Sequence, residues 1–121
     1  MKNSDCIFCK IATGEIPVEV LYEDDLVMAF PDAHPIAPVH ILIIPKAHIE
    51  SVADLTNSQD NEKIMGRLML VAKEIAEKKG INKKGYKLLI RVGKDGGQEI
   101  PHIHLHLLGG AKLKEGIKPI T

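Results

Sequence analysis

Three histidines recur at alternate positions in "HIHLHLL", His102 to Leu108, and the chain has six histidines in all. On a β-strand, successive side chains point to opposite faces, so His102, His104 and His106 fall on one face and Ile103, Leu105 and Leu107 on the other. At about 3.4 Å per residue, the imidazoles repeat roughly every 7 Å. The apolar face packs, and the histidine face is left for chemistry. The residues alone allow three uses for it. A solvated strand is one, although exposed positions more often draw Lys, Glu or Thr. A catalytic zinc site recruiting His40 or His48 is the second. The third is nucleophilic or acid–base catalysis on a substrate anion, with neighbouring imidazoles holding one another. Just upstream, "GKDGGQ" favours the third, because its glycines let backbone N–H groups approach an anion.

Cys6 and Cys9 form a C-x-x-C pair near the N-terminus. A redox pair would belong in a βαβ context, which the pattern lacks. Half of a tetrahedral zinc site, completed by two histidines, is the more natural chemistry; two cysteines packed in a short helix are the plain alternative. Asp32 ends a strand-like run and precedes a proline loop, where a carboxylate suits either a ribose diol or a loop cap. His34 lies in that loop with no evident partner. His40 shares a face with Leu42 and Ile44, as a core histidine beside the triad would. His48 is either a surface residue or a zinc ligand.

The elements that must hold these groups can be read from pattern. "SDCIFCKIATGEIP" reads as a short helix around Cys6 to Ala12, with Ser4 or Asp5 as N-cap and Gly14 and Pro17 as breakers. "VEVLYED" and "LVMAFPD" read as a hairpin turning at Asp24-Asp25. "HPIAP" is an extended loop leading into the strand "VHILIIPK". The long helix spans Ser58 to Lys79, where Ile64, Leu68, Val71 and Ile75 form one apolar stripe, acids lie early, Lys78 and Lys79 lie late, and Gly80 follows. "YKLLIRV" and "HIHLHLLGG" are the last strands. The expectation is one α+β domain over residues 1–121 with a mostly antiparallel sheet.

The bulk numbers exclude other classes. Sixteen basic and sixteen acidic residues in 121 leave no net field to draw nucleic acid or an anionic membrane. Apolar runs such as "ILII" are too short to span a bilayer, and the N-terminus has no signal-peptide core. The cytoplasm is therefore the expected compartment, with both cysteines reduced.

The alternation His-φ-His-φ-His-φ-φ (φ apolar) in "HIHLHLL" resembles the signature of the histidine triad (HIT) superfamily. The similarity extends through "CIFCKIATGEIP", "LYEDD", "AFPDAHPIAPVHILIIPKAHI", "GYKLLI" and "DGGQEIPHIHLHLLGG", and is nearest to the Hint branch of purine nucleoside phosphoramidase-like proteins. The resemblance implies a HIT-like fold with a five-stranded sheet and one long and one short helix. It also implies a homodimer and a site for purine nucleoside 5′-phosphates with no catalytic metal. By that resemblance His104 is the nucleophile and His106 holds the phosphate. Gln98 lies near the phosphate or leaving group, and His40 stands behind the triad. Asp32 takes the ribose, and Ile7, Phe8, Ile11, Phe30 and Leu42 line the base slot. A structural zinc would be held by Cys6, Cys9, His48 and His102, which conflicts with any use of His102 as a free catalytic base. Arg91 departs from the pattern, because relatives often have Asn there. Arginine cannot accept a hydrogen bond, so that role is lost or replaced by a charge clamp on phosphate. Glu99 also departs from members with Ser; its carboxylate would hinder an anionic substrate or protonate a leaving amine. The function implied is hydrolysis at a nucleotide α-phosphorus through a nucleotidyl-histidine, and the alternative is a nucleotide-binding regulatory protein with vestigial hydrolysis.

Overall fold

The structure, a computed structural model, describes residues 5–119. Its elements run α1 (Ile7–Ala12), β1 (Tyr22–Glu23), β2 (Val27–Pro31), β3 (Val39–Pro45), a 3-10 turn at Val52–Asp54, α2 (Gln59–Lys78), β4 (Lys87–Ile90) and β5 (Leu105–Gly109). The strands form one antiparallel sheet in the order β1-β2-β3-β5-β4. This is the expected α+β arrangement of five strands, one long helix and one short one. No helix among the described residues is long and apolar enough to cross a membrane.

Strand alternation divides the interior in two. Val27, Ala29, Ile41, Ile43, Leu105 and Leu107 face α2, which lays Ile64, Leu68, Val71 and Ile75 against them. The expected stripe is therefore the buried one, and the helix ends follow their signals. The Ser58 hydroxyl accepts from the Asn61 N–H at 3.1 Å, capping the N-terminus. At the other end Gly80, at φ +73°, lets its own N–H reach the Glu77 carbonyl and that of Ile81 reach Ala76, both at 3.1 Å. Ile81 then packs back into the same core.

The β1–β2 turn is held by Asp24. Its Oδ1 accepts from the N–H groups of Leu26 (2.7 Å) and Val27 (2.9 Å), and its Oδ2 accepts from the Tyr22 hydroxyl and from Arg67 of α2. Burial alone would raise the Asp24 carboxyl, but those donors outweigh it and hold the group well below the usual carboxylate range.

The opposite face of the sheet carries Met28, Phe30, Leu42 and Ile44, covered by Cys6, Phe8 and Ile11. Two expectations change here. α1 is capped by Cys6, whose sulfur accepts from the Cys9 N–H at 3.3 Å, rather than by Asp5; Ser4 lies outside the described residues. Regular pairing in the last strand begins only at Leu105, so His102 and His104 sit on the segment leading into it. The histidine face is also not solvated: His102, His104 and His106 are 0%, 8% and 8% exposed.

Candidate functional site

The register of β3 against β5 sets Leu42 opposite His106, on the sheet face that α1 covers. His40, two residues before Leu42, shares that face and is buried. The Phe8 ring stands edge-on to His104 with centroids 5.0 Å apart, and tilts on Phe30 at 6.0 Å. Phe8, Ile11, Phe30 and Leu42 thus form one apolar wall beside the histidines, while Ile7 on the outer side of α1 is 45% exposed.

The hydrogen bonds determine which nitrogen of each ring carries a proton. The His104 Nδ1 lies 2.8 Å from the His102 carbonyl, which can only accept, so Nδ1–H donates. The Nε2 of a neutral His104 then bears a lone pair, and no described protein group engages it. Burial, reinforced by the Arg91 charge, lowers the His104 pKa from 6.5 despite its bond to the His102 carbonyl. The ring is therefore neutral at pH 7, with its free lone pair beside the aromatic wall.

A second relay starts at the backbone. The Ile36 N–H donates to His40 Nδ1 at 3.2 Å, which puts the His40 proton on Nε2. That Nε2 faces His106 Nδ1 at 2.9 Å and Asp32 Oδ2 at 3.3 Å. His106 Nδ1 accepts, so its own proton is on Nε2, turned away from His40. Burial, with His104, His40 and Arg91 alongside, pushes His106 down to about 4. Burial likewise lowers His40, so Asp32 Oδ2 stands beside a neutral ring whose one Nε2–H is directed at His106, a close approach rather than an ion pair. Asp32 also caps the proline loop, its Oδ1 accepting from the His34 N–H at 2.8 Å. His34 itself is exposed.

Both nitrogens of His102 are directed elsewhere. Nε2 donates to the Pro45 carbonyl at 2.8 Å, leaving the Nδ1 lone pair facing Cys6 Sγ at 3.3 Å and Cys9 Sγ at 3.5 Å. Cys9 Sγ lies 3.1 Å from His48 Nδ1, and the four donor atoms fall within 4.8 Å of one another. These residues could hold a metal ion. A tetrahedron with bonds of about 2.0–2.3 Å has edges of roughly 3.3–3.8 Å, close to these spacings. The Pro45 carbonyl supplies the outer hydrogen bond that directs a ligating imidazole. The His48 Nε2 is buried with no partner. Burial and the adjacent Cys6 push the Cys9 thiol up to about 11, a cost that a cation on the sulfurs would reverse.

Three sequence candidates take positions that the residue types did not reveal. Gln98 is engaged as a brace: its Nε2 donates to the carbonyls of Glu50 (2.6 Å) and Ile100 (3.0 Å), and its Oε1 accepts from the Gly93 N–H at 3.0 Å. This closes "GKDGGQ" on itself. Glu99 is exposed, near enough for its charge to act upward on the His104 pKa. Arg91 reaches the triad, with Nη1 3.4 Å from His106 Nε2. The groups that sequence reading missed are mostly backbone: the Ile36 N–H and the carbonyls of Pro45 and His102. No residue type signals them.

Residues 13–113 match the HIT domain family. Over 109 residues the chain is 50% identical to a purine nucleoside phosphoramidase of Escherichia coli K12, covering 90% of each protein. Among solved structures it is similar to a histidine triad protein from Clostridium difficile, with a TM-score of 0.90 and 44% identity over 97% of this chain and 100% of that one. A HIT family hydrolase from Legionella pneumophila gives a TM-score of 0.87 and 45% identity over 91% and 96%.

Proposed function

The chain belongs to the HIT domain family and is a histidine triad hydrolase, and on that premise we propose that it cleaves nucleoside 5′-phosphoramidates or related nucleotide conjugates at the α-phosphorus. The observation that carries this reading is the His104 tautomer. A neutral imidazole with Nδ1–H fixed on the His102 carbonyl offers its Nε2 lone pair as a nucleophile. Nε2 forms a bond to phosphorus as the bond to the leaving nitrogen breaks, and the departing amine takes up one proton from solvent. Water then attacks phosphorus, the bond from Nε2 to phosphorus breaks, and the attacking water returns one proton to solvent. Dividing the displacement in two lowers each barrier, and the His106 Nε2–H is aimed to donate to a phosphoryl oxygen.

The substrate would be a purine nucleoside 5′-phosphate conjugate, with the base against Phe8, Ile11, Phe30 and Leu42 and the ribose at Asp32. Cys6, Cys9, His48 and His102 would hold a structural zinc, and no catalytic metal enters the chemistry. The open edge of β4, together with Met69 and Leu70 of α2 at 49% and 61% exposed, supports a homodimer, and we read its compartment as the cytoplasm.

The test uses adenosine 5′-phosphoramidate. His104→Ala should abolish turnover while leaving AMP affinity within a few-fold, and mass spectrometry of a quenched wild-type reaction should find nucleotide on the peptide carrying His104. Near wild-type turnover in the variant, or an adduct on another residue, would refute the mechanism. Wild-type protein that binds AMP but never turns over would favour the regulatory alternative.

A further inference from the structure

Arg91 and His106 present two hydrogen-bond donors to each other with no acceptor between them. The proton on His106 Nε2 is required by the relay above, because the Ile36 N–H occupies His40 Nδ1 and His40 Nε2–H occupies His106 Nδ1. The guanidinium can only donate. The separation of 3.4 Å between Arg91 Nη1 and His106 Nε2 is therefore a convergence of two N–H groups rather than a hydrogen bond between them. Among the described residues, no carboxylate lies within ion-pair distance of Arg91. Polar groups in protein interiors are paired as a rule, so two such donors meeting at a half-buried position mark where an acceptor belongs. The glycine-rich loop helps to hold the arrangement. A Cβ on Gly97 would come within 3.3 Å of Arg91 Cδ and 3.4 Å of Nε, and the residue's φ of +82° suits glycine. The arginine stem thus lies across a part of the loop that has no side chain.

We propose that Arg91 is a phosphate-binding residue that shares one phosphoryl oxygen with His106 Nε2–H and makes the site select the nucleotide anion over the neutral nucleoside. The inference rests on the nucleotide reading of the site. It adds that the charge of the phosphate, and not only the base and sugar, is recognised. The two donors differ in kind: the His106 Nε2–H offers direction, and the Arg91 guanidinium offers a permanent charge. A guanidinium also suits two oxygens of one phosphoryl group better than a point ammonium does.

The experiment is calorimetric titration of AMP and of adenosine into wild type, Arg91→Gln and Arg91→Lys. Loss of one charge-assisted hydrogen bond corresponds to a roughly tenfold to hundredfold weaker AMP affinity in Arg91→Gln. Adenosine affinity should stay within about twofold, since no part of the nucleoside meets the guanidinium. Arg91→Lys should fall between, keeping charge without the fork. If Arg91 were only a support for the loop, AMP and adenosine would weaken together. An unchanged AMP-to-adenosine ratio in Arg91→Gln overturns the clamp while leaving the nucleotide reading intact. Failure of wild type to bind AMP at all would overturn the nucleotide reading and the clamp with it.

Discussion

Acidifying the protein from about pH 7 to about pH 4 should remove stability through His106 in particular. In the unfolded chain its imidazole titrates near 6.5, whereas in the fold burial and the neighbouring His104, His40 and Arg91 push it down to about 4. Below about pH 6.5 the unfolded state therefore binds a proton that the native state refuses, and the equilibrium shifts toward unfolding. The contribution is fully present above pH 6.5, is lost progressively as pH falls, and levels off near pH 4. A separation of about 2.5 between native and unfolded values (6.5 − 4) corresponds to roughly 3 kcal/mol at the acid end. His40, His102 and His104 are shifted in the same direction, so the wild type should lose more than this in total. Urea unfolding of wild type and His106→Gln at stepped pH isolates the His106 part as the difference between their stabilities. NMR titration of the ring Cε1–H reads the native pKa independently. A difference that stays flat between pH 7 and 4.5, or a native His106 titrating near 6.5, would refute the tautomer relay, because a ring free to accept a proton is not held as acceptor to His40.

Asp32→Ala should weaken a ribonucleotide by roughly 1.5–3 kcal/mol and leave its 2′,3′-dideoxy analogue almost unaffected, as measured by calorimetry. Equal losses would mean that the cap on the His34 N–H is the residue's whole role. Protein purified without chelator should carry about one zinc per chain, and Cys9→Ser should lower both the metal content by elemental analysis and the thermal stability. Protein free of zinc under those conditions would leave the four side chains as a packed cluster.

Much of the framework was legible in the chain because local signals and burial agree there. Ile64, Leu68, Val71 and Ile75 repeat at helical spacing, Ser58 offers an N-cap oxygen, and Gly80 tolerates the left-handed turn; each needs only its neighbours in sequence. The alternation in "HIHLHLL" likewise separated packing residues from histidines, because strand geometry imposes a two-residue period wherever the segment pairs. C-x-x-C with two distant histidines is a ligand set whose chemistry is carried by residue type alone, and the fold brings those four donor atoms together.

What the chain alone could not decide is the role of each histidine. His102, His104 and His106 are equivalent in the pattern, and their differences come from what lies opposite: the Pro45 carbonyl with two sulfurs, the His102 carbonyl, and His40. A histidine's proton sits wherever an acceptor holds it, and here the anchors are main-chain carbonyls and the Ile36 amide, groups that every sequence possesses. Asp32 and Gln98 are read incompletely for the same reason, since each binds a backbone N–H that only the loop geometry presents. Residue types determined which chemistries were available, and tertiary contacts decided which nitrogen carries a proton and which a lone pair.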